Sequence, residues 1–269
     1  MAALFKQHFG MKSNPFDKEI DSADLYAGSD INELGSRLNY MLDVRGIFLL
    51  VGEPGSGKTT ALRKFAEGLG PSLFRPFYIS LTTVTVNDFY SELAYVLGEQ
   101  PRYRKIDLFN QIQSAISNLY FEQRITPVII ADEMHMASSG ILDDIRMLFN
   151  FRMDSVNPFV LVIAGQPLIR NKLALNMCLP LKQRVAAKYS MKGLSLPETC
   201  EYIKSRMGLA GVTRDIFTQQ ALEQIHLSSN GFPRNINNIV TACFMYCKWK
   251  KLDTVDEEVV YQANIELAV

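Results

Sequence analysis

As far as Gly193, short unbroken apolar runs alternate with longer stretches in which apolar residues recur every three or four positions. The short runs at 47–51, 77–80, 128–131 and 159–164 predict strands, with a fifth near 188–192. Strands that are apolar throughout, rather than at alternate positions, are covered on both faces, as in a parallel sheet between layers of helix. The longer stretches predict helices over 30–43, 59–69, 86–97, 105–122, 140–149 and 168–175. In the fourth, Leu108, Ile112, Ala115, Ile116 and Leu119 form an i, i+4, i+7, i+8, i+11 stripe, as expected of a helix packed along one face.

The pattern changes after Gly193-Leu194-Ser195-Leu196-Pro197-Glu198. Strand-like runs cease, and the remainder predicts helices over 197–208, 218–228, 234–249 and 256–267, with Thr218 and Asp256 as N-caps. The expected organisation is an α/β domain over 1–193, including an N-terminal arm 1–30, followed by a small all-helical lid domain over 194–269. No internal repeat and no low-complexity segment interrupts it.

Composition narrows this only a little. Apolar residues make up 48% and charged residues 21%, ordinary values for a globular protein. Lys plus Arg (28) equals Asp plus Glu (28), so no global field draws the chain to nucleic acid or membrane, and any such binding must be local. The four cysteines are scattered and read as reduced, buried thiols. Cys243 and Cys247 lie one helical turn apart, but His226 is the only histidine near them, so no zinc site is expected. No apolar stretch reaches the roughly 18–20 residues of a membrane span. The N-terminus lacks the basic-then-apolar layout of a secretory leader. A cytoplasmic protein with no membrane partner is the expectation.

The chemistry starts at Gly52-Glu53-Pro54-Gly55-Ser56-Gly57-Lys58-Thr59, a G-x-x-x-x-G-K-[ST] phosphate-binding loop between a predicted strand and a predicted helix. Its glycines let backbone N–H groups converge on phosphate oxygens, and the helix N-terminus adds its dipole. Lys58 is expected to bridge the β- and γ-phosphates and Thr59 to bind Mg²⁺, with Thr60 completing the nucleotide-binding segment. A strand with an acidic end is expected beside it, and Val128-Ile129-Ile130-Ala131-Asp132-Glu133 fits. Asp132 is expected to hold Mg²⁺ through a water and Glu133 to act as general base on the attacking water. Leu161-Val162-Ile163-Ala164-Gly165-Gln166 ends in an amide. Gln166 is either a water- or γ-phosphate-positioning group between the loop and the acidic strand, or a strand cap. His135 receives no assignment.

Phosphate loop, Asp-Glu strand, polar strand end and helical lid together resemble the AAA+ ATPases, and among them the bacterial ExeA-type group. That group's opening signature, Phe-Gly-Leu…Pro-Phe, stands here as Phe9-Gly10-Met11-Lys12-Ser13-Asn14-Pro15-Phe16, with Met in place of Leu. The resemblance implies ATP and Mg²⁺ as ligands. It also implies a trans-acting arginine finger at Arg184 in Leu181-Lys182-Gln183-Arg184-Val185. In Gly231-Phe232-Pro233-Arg234-Asn235-Ile236-Asn237 it implies a lid motif whose Arg234 reaches the nucleotide of its own subunit. Pro15 and Phe16 either lie against the nucleotide base or simply pack the arm. Gln166 departs from the Asn or Thr commonest at its position across AAA+ proteins. A finger supplied in trans implies a homo-oligomer, either a ring or a helical filament.

Within this resemblance two roles compete. ExeA-type proteins proper belong to secretion systems and continue beyond the lid, whereas this sequence ends at Val269. Its form is thus similar to the transposon-encoded regulators of the TniB and Mu B types. That likeness implies an ATPase that oligomerises on double-stranded DNA without sequence specificity, selects targets and activates a transposase or integrase. The alternative is a secretion-assembly or protein-remodelling ATPase that binds no DNA. Candidate DNA contacts are Arg102-Tyr103-Arg104-Lys105 with Arg75, Lys248-Trp249-Lys250-Lys251, and the hydroxyl-rich stretch from Ser80 to Thr85. The two basic groups serve equally well as solvated helix ends, and the hydroxyl stretch as loop caps.

Overall fold

The computed structural model describes residues 3–17, 20–80, 85–153 and 155–267. Its helices in chain order are α1 (Ala3–Phe9), α2 (Ser29–Val44), α3 (Lys58–Glu67), α4 (Val86–Val96), α5 (Lys105–Ser117), α6 (Ser139–Leu148), α7 (Leu168–Leu173), α8 (Leu179–Gln183), α9 (Leu196–Leu209), α10 (Gln219–Ser229), α11 (Pro233–Lys250) and α12 (Glu257–Leu267). Contacts divide the described residues into two compact units. An α/β unit comprises Glu33–Pro54 and Lys58–Met191. A helical unit comprises the residues up to Asn32, the loop tip Gly55–Gly57, and those from Lys192 onward.

In the α/β unit, β1 (Gly46–Val51), β2 (Phe74–Ser80), β3 (Thr126–Asp132), β4 (Val160–Gly165) and β5 (Val185–Ser190) form one sheet in the order β2-β3-β4-β1-β5. Every pairing is parallel. The three central strands are buried nearly throughout. One face of the sheet, with Ile47, Leu49, Ile129, Leu161 and Ile163, shares a core with Leu93, Leu108, Ile112, Ile141 and Ile145 of α4–α6. Phe149 stacks on Phe159 at 4.2 Å between ring centroids. Each such side chain removed from water stabilises the unit by about 1.5–3 kcal/mol, which holds the strand ends in place.

Edge strands account for the main departures from the sequence reading. Only alternate positions of β5 approach the core, so Val185, Ala187 and Tyr189 make no continuous apolar run, and the strand occupies Val185–Ser190 instead of 188–192. The other edge strand, β2, begins at Phe74, because exposed Arg75 and Pro76 interrupt its apolar pattern. The predicted helix over 105–122 ends at Ser117 and continues as a π-turn over Asn118–Glu122.

In the helical unit Phe244 of α11 is ringed by Phe9, Phe5, Phe217 and Phe16, at centroid distances of 5.0, 5.7, 5.8 and 6.1 Å. Buried Arg206 of α9 donates through Nε to the Pro15 carbonyl (2.5 Å) and through Nη2 to the Asp17 carbonyl (2.8 Å). By its contacts the N-terminal arm therefore belongs with the helices, not with the α/β domain to which the sequence reading attached it. A capping box opens α9: Glu198 accepts from the Ser195 N–H (2.9 Å) and hydroxyl (2.7 Å), and also from the Ser29 N–H (2.6 Å). Burial opposes ionisation of Glu198, but the hydrogen bonds from Ser29 and Ser195 outweigh it and lower its pKa to about 2. All four cysteines are free, and burial pushes the thiols up, Cys247 to about 11. No helix among the described residues is long and apolar enough to cross a membrane.

Candidate nucleotide-binding and hydrolysis site

β1 ends at Val51, and the chain turns at once into the loop, anchored by the Gly52 N–H donating to the Gly165 carbonyl of β4 (3.2 Å). Gly55 and Gly57 take φ of +80° and +93°, a left-handed backbone that glycine adopts without steric cost and that turns successive amides toward one side. Glu53 and Pro54 are exposed. Lys58 opens α3 with only 6% of its surface exposed, and its ammonium donates to the Gly52 (2.8 Å) and Glu53 (3.0 Å) carbonyls. Thr60 is half-buried in the first turn of the same helix.

Within the helical unit the loop tip has its own constraint. The Gly55 carbonyl accepts from the Arg234 N–H near the start of α11 (3.3 Å), and a Cβ at Gly55 would lie 2.7 Å from that of Arg234. The Arg234 residue itself is exposed.

The acidic strand lies one place further from the loop than expected. It does not pair with β1, because β4 is hydrogen-bonded between them. Even so, Thr59 Oγ1 donates to Asp132 Oδ2 at 2.6 Å, bringing the two expected metal ligands together. Asp132 is 1% exposed and also accepts from the Glu133 N–H (Oδ1, 2.8 Å) and the Tyr78 hydroxyl of β2 (Oδ2, 3.3 Å). Burial, then the Asp132 charge, raises the Tyr78 pKa and keeps the phenol a donor. Glu133 follows in a left-handed conformation (φ 57°, ψ 25°), with its side chain 43% exposed. Gln166 directly follows β4, on the strand between β1 and β3, and is half-buried.

Arg184 caps α8 and precedes β5. Since Val185 pairs with Ile47 and Ser190 with Val51, Arg184 sits at the end of the sheet away from the loop that follows β1. Strand rise places it roughly 17 Å along the sheet from that loop. Phe16 is buried in the aromatic ring around Phe244, and Pro15 is buried beside it in sequence, its carbonyl held by Arg206. Tyr78 is not singled out by the sequence, and His135, without a role there and read as a candidate exposed residue, is buried. Tyr78 lies in an edge strand, and only sheet order brings it to Asp132. For His135 the available signal was its place two residues after Glu133.

The residues fit a nucleotide with its magnesium ion. Ser56 Oγ is buried in the loop and has no hydrogen-bond partner among the described residues, as a phosphate-facing hydroxyl would. The Thr59 and Asp132 oxygens form the sparse hard-oxygen set Mg²⁺ takes when phosphates and waters complete its shell.

The candidate DNA contacts divide. Arg104 is paired with Asp107 (2.8 Å) and Lys105 with Asp144 (2.6 Å), leaving Tyr103 96% exposed beside exposed Arg102 and, elsewhere, exposed Arg75. At the end of α11, Trp249 is 71% exposed with Lys250 Nζ 4.1 Å from its ring centroid. Leu81, Thr82, Thr83 and Val84, the centre of the hydroxyl-rich stretch, lie outside the described residues.

Residues 42–173, which span the loop, Asp132, Glu133 and Gln166, match the family described as AAA domain. The general secretion pathway protein A of Aeromonas hydrophila is 33% identical over 243 residues, which cover 88% of this chain. The chain spans only 43% of that relative's length. Among solved structures, the Cdc6p of Pyrobaculum aerophilum superposes with a TM-score of 0.69 at 17% identity, covering 94% of this chain and 70% of that one. The Aeropyrum pernix ORC1 protein in complex with DNA superposes with a TM-score of 0.65 at 17% identity, covering 91% of this chain and 67% of that one. The sheet order, the loop after its β1 strand and the matched domain lead to one conclusion: this chain has the P-loop AAA+ fold and carries an AAA domain over residues 42–173.

Proposed function

We propose that the chain binds ATP through Gly52–Thr60, hydrolyses it with Glu133 as general base, and works as an oligomer on double-stranded DNA to regulate transposition. The observation that carries the catalytic part is the 2.6 Å contact between Thr59 and Asp132, next to Glu133. Thr59 and, through a water, Asp132 would hold Mg²⁺, which would supply neutralisation of the phosphate charge. Lys58 bridges the β- and γ-phosphates. Glu133, exposed enough to meet water, accepts its proton, and Gln166 on the intervening strand orients that water. Arg234 contacts the nucleotide of its own subunit.

Arg184 is remote from its own loop along the sheet, which supports its action on a neighbouring copy's γ-phosphate. Hydrolysis then depends on assembly, in a ring or a filament. Pro15 and Phe16 shape the arm rather than the base pocket, since Phe16 is committed to packing around Phe244.

Action on DNA is supported by the likeness to the ORC1 protein solved with DNA and by the basic, aromatic end of α11. Contacts of this kind grip backbone and leave sequence unread, as befits target selection for a transposase or integrase in the cytoplasm. The secretion relative favours a second reading, a DNA-free ATPase that assembles or remodels a protein partner. Duplex binding measured with ATP, with ADP and without nucleotide, at low and moderate salt, separates the two. ATP-stimulated, salt-sensitive binding is the expected result, and no binding at low salt overturns the DNA reading.

A further inference from the structure

His135 lies in the short 3-10 turn Met134–Met136 after β3, with only 7% of its surface exposed. Its Nδ1 points at Oε2 of Glu133 from 3.4 Å and makes no hydrogen bond among the described residues. A buried ring nitrogen without a partner is costly, so its direction carries information. Both ends of this contact are fixed by backbone. Glu133 adopts a left-handed conformation that side-chain-bearing residues rarely take, and its carbonyl accepts the Met136 N–H at 2.9 Å. On the other side, the His135 backbone N stands 3.0 Å from where a Cβ on Gly165 would be, so the end of β4 sets the position of the turn. The Ala137 carbonyl, next in the chain, is held by Lys172 Nζ of α7 (2.7 Å).

We infer that His135 is a positioning residue for Glu133, an inference that rests on Glu133 being the general base. With its proton on Nδ1, the imidazole donates to one carboxylate oxygen and stops the side chain from rotating freely. The other oxygen stays available to take a proton from water. A shift of about half an ångström brings the 3.4 Å contact into charge-assisted hydrogen-bond range. The role needs an N–H donor at the δ position. An asparagine can supply one, whereas an alanine or an aspartate cannot.

The test compares His135→Ala, His135→Asn and Glu133→Gln with wild type in the full chain, by ATP turnover and by affinity for a fluorescent ATP analogue. Misplacing a catalytic group by an ångström costs up to about a hundredfold in rate. His135→Ala should accordingly lose about tenfold to a hundredfold in kcat with unchanged nucleotide affinity, while His135→Asn keeps most of the wild-type rate. Wild-type turnover by His135→Ala, or an Asn variant as slow as the Ala variant, overturns the inference. If the Ala variant does not fold, His135→Asp replaces it: near in size to Asn but lacking the donor, it must show at least the same roughly tenfold loss in kcat where Asn keeps most of the rate. An inactive Glu133→Gln beside a fully active His135→Ala refutes the positioning role alone. A fully active Glu133→Gln removes the general base, and the positioning role with it.

Discussion

Gly165→Ala probes the contact that sets the hydrolytic turn. Gly165 closes β4, and an added Cβ would meet the His135 backbone N at 3.0 Å, His135 Cβ at 3.5 Å and Ile169 Cβ at 3.6 Å. Its φ lies outside the left-handed region, so alanine fits the backbone itself. The unfolded chain gives up freedom on this change, which by itself stabilises by about 0.4–1 kcal/mol. Against that, a methyl forced onto a backbone nitrogen in a packed interior costs about 1–3 kcal/mol. The contact term wins, leaving a net loss near 1–2 kcal/mol, or about 2–4 °C in melting temperature per kcal/mol for a unit of this size. The same methyl must push the turn carrying His135 by a few tenths of an ångström, because the nearest obstacle is backbone. Thermal unfolding with ATP turnover and nucleotide affinity reads both effects. A lower melting temperature together with a several-fold lower kcat and unchanged affinity is expected. A variant as stable and as active as wild type would refute the claim that β4 positions the turn.

Other expectations follow from the same geometry. Arg206→Ala leaves the Pro15 and Asp17 carbonyls without their donor, at a cost of about 1–3 kcal/mol for each group that stays buried, read by urea unfolding. Glu198 ionises near 2 in the folded chain against an ordinary 4.5, so its stabilisation is full above pH 4.5 and lost as pH falls through about 2. Glu198→Gln should therefore melt below wild type at neutral pH, with the gap closing between pH 4.5 and 2; a gap independent of pH contradicts the assignment. Arg184→Ala should bind ATP normally yet lose turnover by about 10³-fold or more, and mixing with Lys58→Ala subunits should restore some of it. No restoration at any mixing ratio would argue against a finger supplied in trans.

Much of the α/β unit was legible because buried parallel strands announce themselves as unbroken apolar runs. β1, β3 and β4 are of that kind, and each was found within a residue or two of its observed ends. β2 and β5 were blurred because an edge strand buries only alternate side chains, and its pattern dissolves among exposed residues. The loop and the Asp132-Glu133 pair were visible as chemistry fixed by local spacing. Sheet order was not, since no local pattern in 126–132 tells that β4 separates it from β1. Tyr78 was invisible for the same reason, being brought to Asp132 only by pairing of β2 with β3. The arm's attachment to the helices depends on Arg206 and Phe244, more than 180 residues away in sequence from Pro15 and Phe16, a distance over which periodicity carries no information.

The central claim is that Glu133 is the base and that binding and hydrolysis are separable at this one carboxylate. Parallel measurement of ATP turnover and ATP affinity in Glu133→Gln tests it most directly. Turnover in Glu133→Gln should fall by about 10² or more with affinity retained, and an ATP-bound assembled state should persist. Turnover at the wild-type rate in Glu133→Gln would contradict it.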